Sequence, residues 1–196
     1  MSISPDLERP RKAASRRLWP VLAMAAGAVL ACAMGVRAWS HWLAQPLMVK
    51  ACSTARGEQS EVQLDDGSRL RLDGATRLEV RYYPTHREVT LFDGQALFAV
   101  QDDDDRPFQV RAGPLRAMAH GARFAVRHAP DAAHHEQVRV AVEQGRVRVD
   151  NVTAKSADHA VQLAAGQQVW GKAHGVSAVS QLGAADLSPW LAPLLP

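Results

Sequence analysis

Apolar and polar residues alternate along most of the chain between residues 58 and 180. The central stretch, Glu88 to Arg127, holds four short alternating runs with glycines, a Gly-Pro pair and an acidic segment between or beside them. An apolar residue at every second position is typical of a strand with one buried face. The pattern therefore predicts half-buried antiparallel strands joined by tight turns, with turns at Asp93-Gly94, Gly113-Pro114 and Glu143-Gln144-Gly145.

The same alternation begins earlier in the chain, around Asp65-Asp66-Gly67. Val62 and Leu64 precede this turn signal, and Leu70 and Leu72 follow it. Glycine accepts the positive φ that tight hairpins need, so the stretch predicts a β-hairpin. Turn signals recur about every eight to fifteen residues, which favours an all-β fold. We predict an antiparallel double-sheet or rolled β domain over residues 58–180.

An uncharged apolar run, Leu18 to Val36, precedes this domain and is 19 residues long. About 20 apolar residues are needed for a helix to cross the hydrocarbon core of a bilayer. Basic residues precede the run, and tryptophans lie near both ends. The run therefore predicts a single transmembrane helix at 18–37, with a cytoplasmic N-terminus and the β domain on the other side.

Two alternatives exist for this apolar run. Ala31-Cys32-Ala33 has the small-residue spacing of a cleaved signal peptide, and a small residue directly before Cys32 also fits a lipoprotein signal. The apolar run continues past Cys32, which favours a retained anchor. All three interpretations place the β domain outside the cytoplasm.

The remaining segments complete the predicted organisation. Residues 1–17 form a disordered basic tail, and residues 181–196 form a C-terminal tail that contains prolines. Residues 38–57 are a juxtamembrane connector, in which the helix continues for a turn or two until Pro46 stops it.

Charge argues against nucleic-acid binding by the β domain. The chain has a net charge of +3, and its first 17 residues carry five basic and two acidic residues. From Leu18 onward, basic and acidic residues are equal in number. The excess positive charge lies in the tail, so the main domain has no net attraction for phosphate backbones.

No motif in the sequence predicts catalysis or a bound cofactor. Four consecutive aspartates, Asp102 to Asp105, lack the spaced ligands and glycine of a calcium loop and are interpreted as a solvated hairpin tip. His134 and His135 would point to opposite faces of a strand, which is poor geometry for a shared metal. Nucleophile-elbow, C-x-x-C and phosphate-loop motifs are absent. Cys52 is either a free thiol or a bridge to a second copy of the chain.

Six blocks, taken together and in order, resemble the FecR family of membrane-anchored regulators. They are LDDGSRLRL (Leu64 to Leu72), REVTLFDGQALFAV (Arg87 to Val100), RPFQV (Arg106 to Val110), HGARFAVR (His120 to Arg127), VRVAVEQGRVRV (Val138 to Val149) and LAAGQQV (Leu163 to Val169). The family usually has Gly-Thr in the fourth block, where this chain has Ala122 after its glycine. The residues that carry the resemblance have a structural role in turns, bulges and core: Gly67, Gly94, Phe98, Arg106, Pro107, Phe108, Gly121, Phe124, Gly145 and Gly166.

The resemblance implies a function as well as a fold. Family members are single-pass proteins of the bacterial inner membrane that relay the loaded state of an outer-membrane receptor, often for iron uptake, to a cytoplasmic sigma factor. The periplasmic domain receives the signal. In this chain the segment before the span is too short to bury a core. Sigma control would then need a separate cytoplasmic partner, or the chain is a reduced or incomplete member of the family, or its true start lies upstream. The alternative function is an anchored structural or binding module without sigma control.

Overall fold

The computed structural model describes residues 19–130, 136–153, 160–172 and 175–183. The chain divides into two units, Met1–Ala44 and Gln45–Pro196. The first unit contains helix α1 (Trp19–Leu43), which ends shortly before Pro46, as predicted. The predicted tail 1–17 and residues 184–196 of the predicted C-terminal tail lie outside the described residues.

The predicted membrane span begins at Leu18, which also lies outside the described residues. Among the residues that are described, no helix is both long enough and apolar enough to cross a membrane.

The described residues of the second unit form strands joined by turns and loops, which confirms the predicted all-β class. Its described residues form thirteen strands: β1 (Met48–Ser53), β2 (Ser60–Gln63), β3 (Arg69–Leu72), β4 (Arg77–Tyr82), β5 (Arg87–Val100), β6 (Phe108–Ala112), β7 (Leu115–Ala119), β8 (Ala122–Pro130), β9 (Glu136–Asn151), β10 (Val161–Ala164), β11 (Gln167–Lys172), β12 (Gly175–Val176) and β13 (Ser180–Gln181). The predicted hairpin at Gly67 is present as β2 and β3. Strand β1 lies within the segment expected to be a connector.

The strands form two sheets that share the long strands β5 and β9. Sheet A contains β1, β4, the first half of β5, β6, β7, the second half of β9, and β10. Sheet B contains β2, β3, the second half of β5, β8, the first half of β9, β11, β12 and β13. The inward side chains of both sheets form one buried apolar core.

The predicted turns at Gly94 and Gly145 are wrong, because both glycines lie inside continuous strands. Strand β5 passes from sheet A to sheet B at Gly94, and β9 passes from sheet B to sheet A at Gly145. Both glycines have positive φ, 92° and 81°, and a register shift in the pairing lies beside each of them. A glycine signal in an alternating run marks a bulge and a bend as readily as a hairpin turn.

The bend in β5 also changes how the next strand pairs. Because β5 is bent, its end returns to the side of the domain where it began. The loop 101–107 then crosses from sheet B to sheet A, and β6 pairs with the first half of β5 in parallel. The acidic segment Asp102 to Asp105 is therefore a crossover and not the predicted hairpin tip, although Asp102, Asp104 and Asp105 are exposed as expected.

Three phenylalanines of the family signature meet in the core. Phe98, Phe108 and Phe124 are fully buried. Phe98 and Phe124 are cross-strand neighbours whose ring centroids lie 5.3 Å apart, and the ring of Phe108 lies 6.1 Å from that of Phe98. Phe108 belongs to sheet A and the other two to sheet B, so these rings join the two sheets.

Candidate binding cleft

A fully buried arginine, Arg87, lies where the two ends of β5 come close together. Alternation along β5 places Arg87 on the same inward face as Val89 and Leu91. Its Nη1 donates to Asp66 Oδ2 at 2.5 Å and to the carbonyl oxygen of Gln101 at 3.2 Å. Fourteen residues of straight strand would span roughly 45 Å. The bend in β5 therefore brings Gln101, just beyond one end, within reach of the side chain at the other.

Arg87 is part of a larger polar cluster, the Arg87 network, which we define as Asp66, Ser68, Arg87, Gln101 and Arg106. The backbone N–H and the hydroxyl of Ser68 both donate to the Asp66 carboxylate, at 3.0 and 2.8 Å. The same hydroxyl accepts a bond from the N–H of Gln101 at 3.0 Å. The network thus fastens the β2–β3 turn to the start of the crossover loop.

The Arg106-Pro107-Phe108 segment forms the other side of the Arg87 network. Arg87 Nε donates to the carbonyl oxygen of Arg106 at 2.9 Å, and its guanidinium lies 5.4 Å from the ring centroid of Phe108. The Arg106 side chain is instead paired with Asp103 at 2.9 Å and is 45% exposed. Arg106 therefore contributes its backbone to the network, while its charge stabilises the acidic loop.

The buried charges near this network affect Tyr82. Burial raises the pKa of the Tyr82 phenol to about 12, and the nearby carboxylates of Asp66 and Asp65 add to the increase. The Tyr82 hydroxyl is buried and has no hydrogen-bond partner among the described residues. The raised pKa therefore keeps the phenol neutral into the alkaline range in which an ordinary tyrosine ionises.

An open cleft of about 500 Å³ adjoins the Arg87 network on sheet B. We define it by six residues of its lining: Gly67, Arg69, Gln101, Gly121, Arg123 and Gly145. Three of these are glycines that carry the family resemblance. Strands β3, β5, β8 and β9 bring them together from distant parts of the sequence.

The absence of side chains at the cleft glycines lets neighbouring backbone segments approach closely. A Cβ at Gly145 would lie 2.8 Å from the carbonyl oxygen of Gly121, and a Cβ at Gly121 would lie 3.0 Å from Asp102. The first distance is shorter than real Cβ contacts allow, so larger residues would push these strands apart. The cleft therefore depends on glycine at residue 145, and Gly121 leaves little room for a side chain.

The two arginines of the cleft differ in their pairing. Arg123 lies 2.6 Å from Glu143, whose side chain is only 8% exposed. Arg69 is exposed, and no partner for its side chain is found among the described residues. Asp102 lies near the same cleft, since a Cβ added at Gly121 would be 3.0 Å from the Cβ of Asp102. Among the described residues, Arg69 thus gives the cleft a positive charge without a partner, which suits polar recognition.

The ten residues predicted to carry the family signature fall into five places. Gly67, Gly121 and Gly145 line the cleft, and the Arg106-Pro107-Phe108 segment lies against Arg87. Phe98 and Phe124 are in the core. Gly94 lies at the bend of β5, and Gly166 lies between β10 and β11. Sequence reasoning missed Arg87, although its place on the apolar side of an alternating strand is a usable signal.

The described residues contain no group of three histidine, cysteine or acidic side chains arranged to hold a metal ion. His134 and His135 lie outside those residues. Cys32 and Cys52 are free thiols, the first exposed and the second half-buried. Within the acidic segment Asp102 to Asp105, Asp103 pairs with Arg106, and Asp104 lies 3.9 Å from His120.

Comparison with known proteins adds a family and a structural likeness. The family model "FecR protein" matches residues 50–148, which is half of the chain. Two crystal structures of a proposed anti-sigma factor from Parabacteroides distasonis share the fold. One is 24% identical with a TM-score of 0.62 and aligns with 74% of this chain. The other is 26% identical with a TM-score of 0.58 and aligns with 72% of it.

The chain covers 65% and 64% of those two crystallised chains, which is less than two thirds of each. No curated protein matches the chain.

Proposed function

Because the chain belongs to the FecR family, we propose that it is a non-enzymatic regulator that relays a signal from outside the cytoplasm towards a sigma factor. The observation that carries this proposal is the family match over residues 50–148. The likeness to a proposed anti-sigma factor supports the same class of role. The signal concerns nutrient uptake, with iron as the first ligand to test.

The cleft is the surface on which we expect the β domain to meet its signalling partner, an outer-membrane receptor or another envelope protein. It is exposed, it is lined by residues of the family signature, and Arg69 offers a charge without a partner among the described residues. The Arg87 network holds the loop and turn on either side of it. A binding surface carried by a rigid scaffold is the usual arrangement for recognition.

In this proposal α1 anchors the domain at the inner membrane, with the β domain in the periplasm. The uncharged run from Leu18 to Val36 supports the anchor, and FecR proteins are generally membrane-associated. Within α1, Met24, Val29 and Leu30 are each more than 60% exposed. Exposed apolar side chains on a helix are unfavourable in water and favourable in lipid. Carbonate-resistant sedimentation with membranes and cleavage of the β domain by protease in opened cells would test the placement.

The regulatory role is tested by transcription in the native host. We expect deletion of the gene to change a set of transcripts that share one promoter type, and the intact gene to restore them. Arg69→Glu should fail to restore the response to the inducing condition, starting with iron limitation. Arg111→Glu is the matched control, since Arg111 is an exposed arginine on the outward side of sheet A.

Two results would count against this role. Unchanged transcription in the deletion strain, with and without iron, would remove sigma control and leave an anchored binding module. Equal loss of response in both arginine variants would show that the cleft has no special part in it.

A further inference from the structure

Strand β1 (Met48–Ser53) is an edge of sheet A and pairs, among the described residues, only with β4. The hydrogen-bond pattern shows which of its backbone groups are unpaired. Thr54 N–H donates to the carbonyl oxygen of its register partner Thr76, and the N–H of Tyr83, directly after β4, donates to the carbonyl oxygen of His86 and not to β1. Antiparallel bonds alternate along a strand. The even-numbered residues of β1 therefore bond to β4, and Val49, Ala51 and Ser53 direct their N–H and C=O groups outward.

The side chains on the exposed face of β1 are also uncharged. Val49 is 53% exposed, and Ala51 and Ser53 are exposed as well. The single charged residue of the strand, Lys50, is half-buried and lies on the other face together with Cys52. Edge strands in soluble proteins are usually protected by charges, proline or short length. In β1, Lys50 is the one feature of this kind, and the strand has neither proline nor short length.

The other described edges are better protected. Strand β2 has four residues and carries Glu61, and β10 also has four. Strands β12 and β13 have two residues each. An extended segment that pairs with this domain would therefore find the longest row of free backbone groups at β1.

We propose that β1 pairs with β1 of a second copy of the chain, antiparallel and about a two-fold axis at Ala51. In this register Ala51 faces Ala51 of the second copy, and Val49 faces Ser53. All three outward residues are then paired, with roughly six hydrogen bonds across the axis. The inference is independent of sigma control, because it concerns an edge far in sequence from the cleft glycines.

Neighbouring registers are less favourable. An axis at Lys50 would place two lysines directly opposite each other, which is destabilising. An axis at Cys52 would leave Val49 opposite Ala55, whose N–H and C=O already bond to Glu58 and Ala75. Only the Ala51 register uses every free group of the strand. It places Lys50 opposite Cys52 at a non-hydrogen-bonded position.

That placement gives a direct test by disulfide cross-linking of the full chain in detergent, with Cys32→Ser as the background. Opposed residues at non-hydrogen-bonded positions have Cα atoms about 4.5 Å apart, which is within the range of a disulfide. Lys50→Cys together with the native Cys52 should form a covalent dimer at least about tenfold more than native Cys52 alone, or than Lys50→Cys with Cys52→Ser. Equal cross-linking of the three proteins would overturn the register. Cross-linking only of the protein that carries native Cys52 alone would overturn it as well.

Charged substitutions of Ala51, at the two-fold axis, provide a second test, with the oligomeric state measured by light scattering. Ala51→Glu and Ala51→Lys should each be monomeric where the wild type is dimeric, and a mixture of the two should recover a heterodimer. Gln162→Glu, on the edge strand β10, is the matched control and should stay dimeric. A monomeric wild type, or dimers that persist in both Ala51 variants, would overturn the proposal.

Discussion

Strands β5 and β9 are bent by the same device in different surroundings. Each has a glycine with positive φ at the point where it changes sheet. The bend of β5 packs on Thr76, whose hydroxyl exchanges hydrogen bonds with the backbone of Gln95 at 3.0 and 3.1 Å. The bend of β9 packs on the backbone of Gly121 and forms part of an exposed cleft.

The bend of β5 belongs to the part of the domain that stabilises the fold, and the bend of β9 belongs to the part that is available for recognition. A buried arginine bridges the two ends of β5, and through Asp66 it also holds the β2–β3 turn. The bend of β9 instead shapes a surface. We therefore expect changes around β5 to act mainly on stability, and changes around β9 to act on both stability and binding.

The largest effect is expected for Arg87→Met. The substitution removes the charge that pairs with Asp66, a carboxylate whose side chain is only 5% exposed. Breaking a buried pair from one side costs about 3–5 kcal/mol, because the other charge stays buried without compensation. Denaturant titration of the full chain should show this loss. Arg77→Met is a control, since its pair with Asp93 is exposed and should contribute about 1 kcal/mol or less.

The next effect concerns Gly94→Ala. A Cβ at this position would lie 2.5 Å from the Cα and hydroxyl of Thr76, and the φ of 92° is itself unfavourable for alanine. We expect a loss of about 3 kcal/mol in the free energy of unfolding. Gly67→Ala separates the two causes, because φ there is 84° but the nearest atom, in Gln101, is 3.9 Å away. It should cost only about 1 kcal/mol. Equal losses of unfolding free energy in Gly94→Ala and Gly67→Ala would contradict the close packing of Gly94 on Thr76.

Gly145→Ala should have a smaller effect on stability, about 2 kcal/mol, since its closest contact would be 2.8 Å, to the carbonyl oxygen of Gly121, and the next two, to Ala122, would be 3.1 Å. Unlike Gly94→Ala, it should also alter the cleft. Chemical shifts of the Arg69 and Arg123 side chains, compared between the two variants at a temperature where both are folded, would show this. Unchanged arginine signals in Gly145→Ala would contradict the assignment of the β9 bend to the cleft.

The smallest effect is expected for Tyr82→Phe. At neutral pH it should change stability by less than about 1 kcal/mol, since the hydroxyl it removes has no partner among the described residues. At alkaline pH the two proteins should diverge. With a folded pKa of about 12 against an ordinary value of 10.0, the neutral phenol stabilises the fold below pH 10, and this contribution is lost as the pH rises towards 12. Between pH 9 and 12, the unfolding temperature of the wild type should fall more steeply with pH than that of Tyr82→Phe. Parallel profiles would place Tyr82 in a more solvated site.

Period-two alternation was enough to predict the class of fold and several of its elements. The β2–β3 hairpin, strands β4 and β6, and the buried phenylalanines follow from local pattern and turn chemistry. Glycine gave an ambiguous signal at residues 94 and 145. A tight turn and a bend within a strand both need positive φ, so only the pairing partners decide between them.

The Arg87 network was harder to predict for a different reason. Arg87 and Asp66 are 21 residues apart and meet only because β5 bends and the crossover loop returns beside its start. A charged residue on the apolar side of a strand indicates that a buried partner exists, but it does not identify that partner. The cleft shares this difficulty, since its lining comes from four strands.

A double-mutant cycle on Arg87→Met and Asp66→Asn tests the central claim most directly, namely that a buried ion pair holds the bent strand β5 and the loops beside the cleft. The measured quantity is the free energy of unfolding of the wild type, both single variants and the double variant. We predict that the double variant loses less than the sum of the two singles, by at least about 2 kcal/mol. Additive losses, within about 0.5 kcal/mol, would contradict the claim.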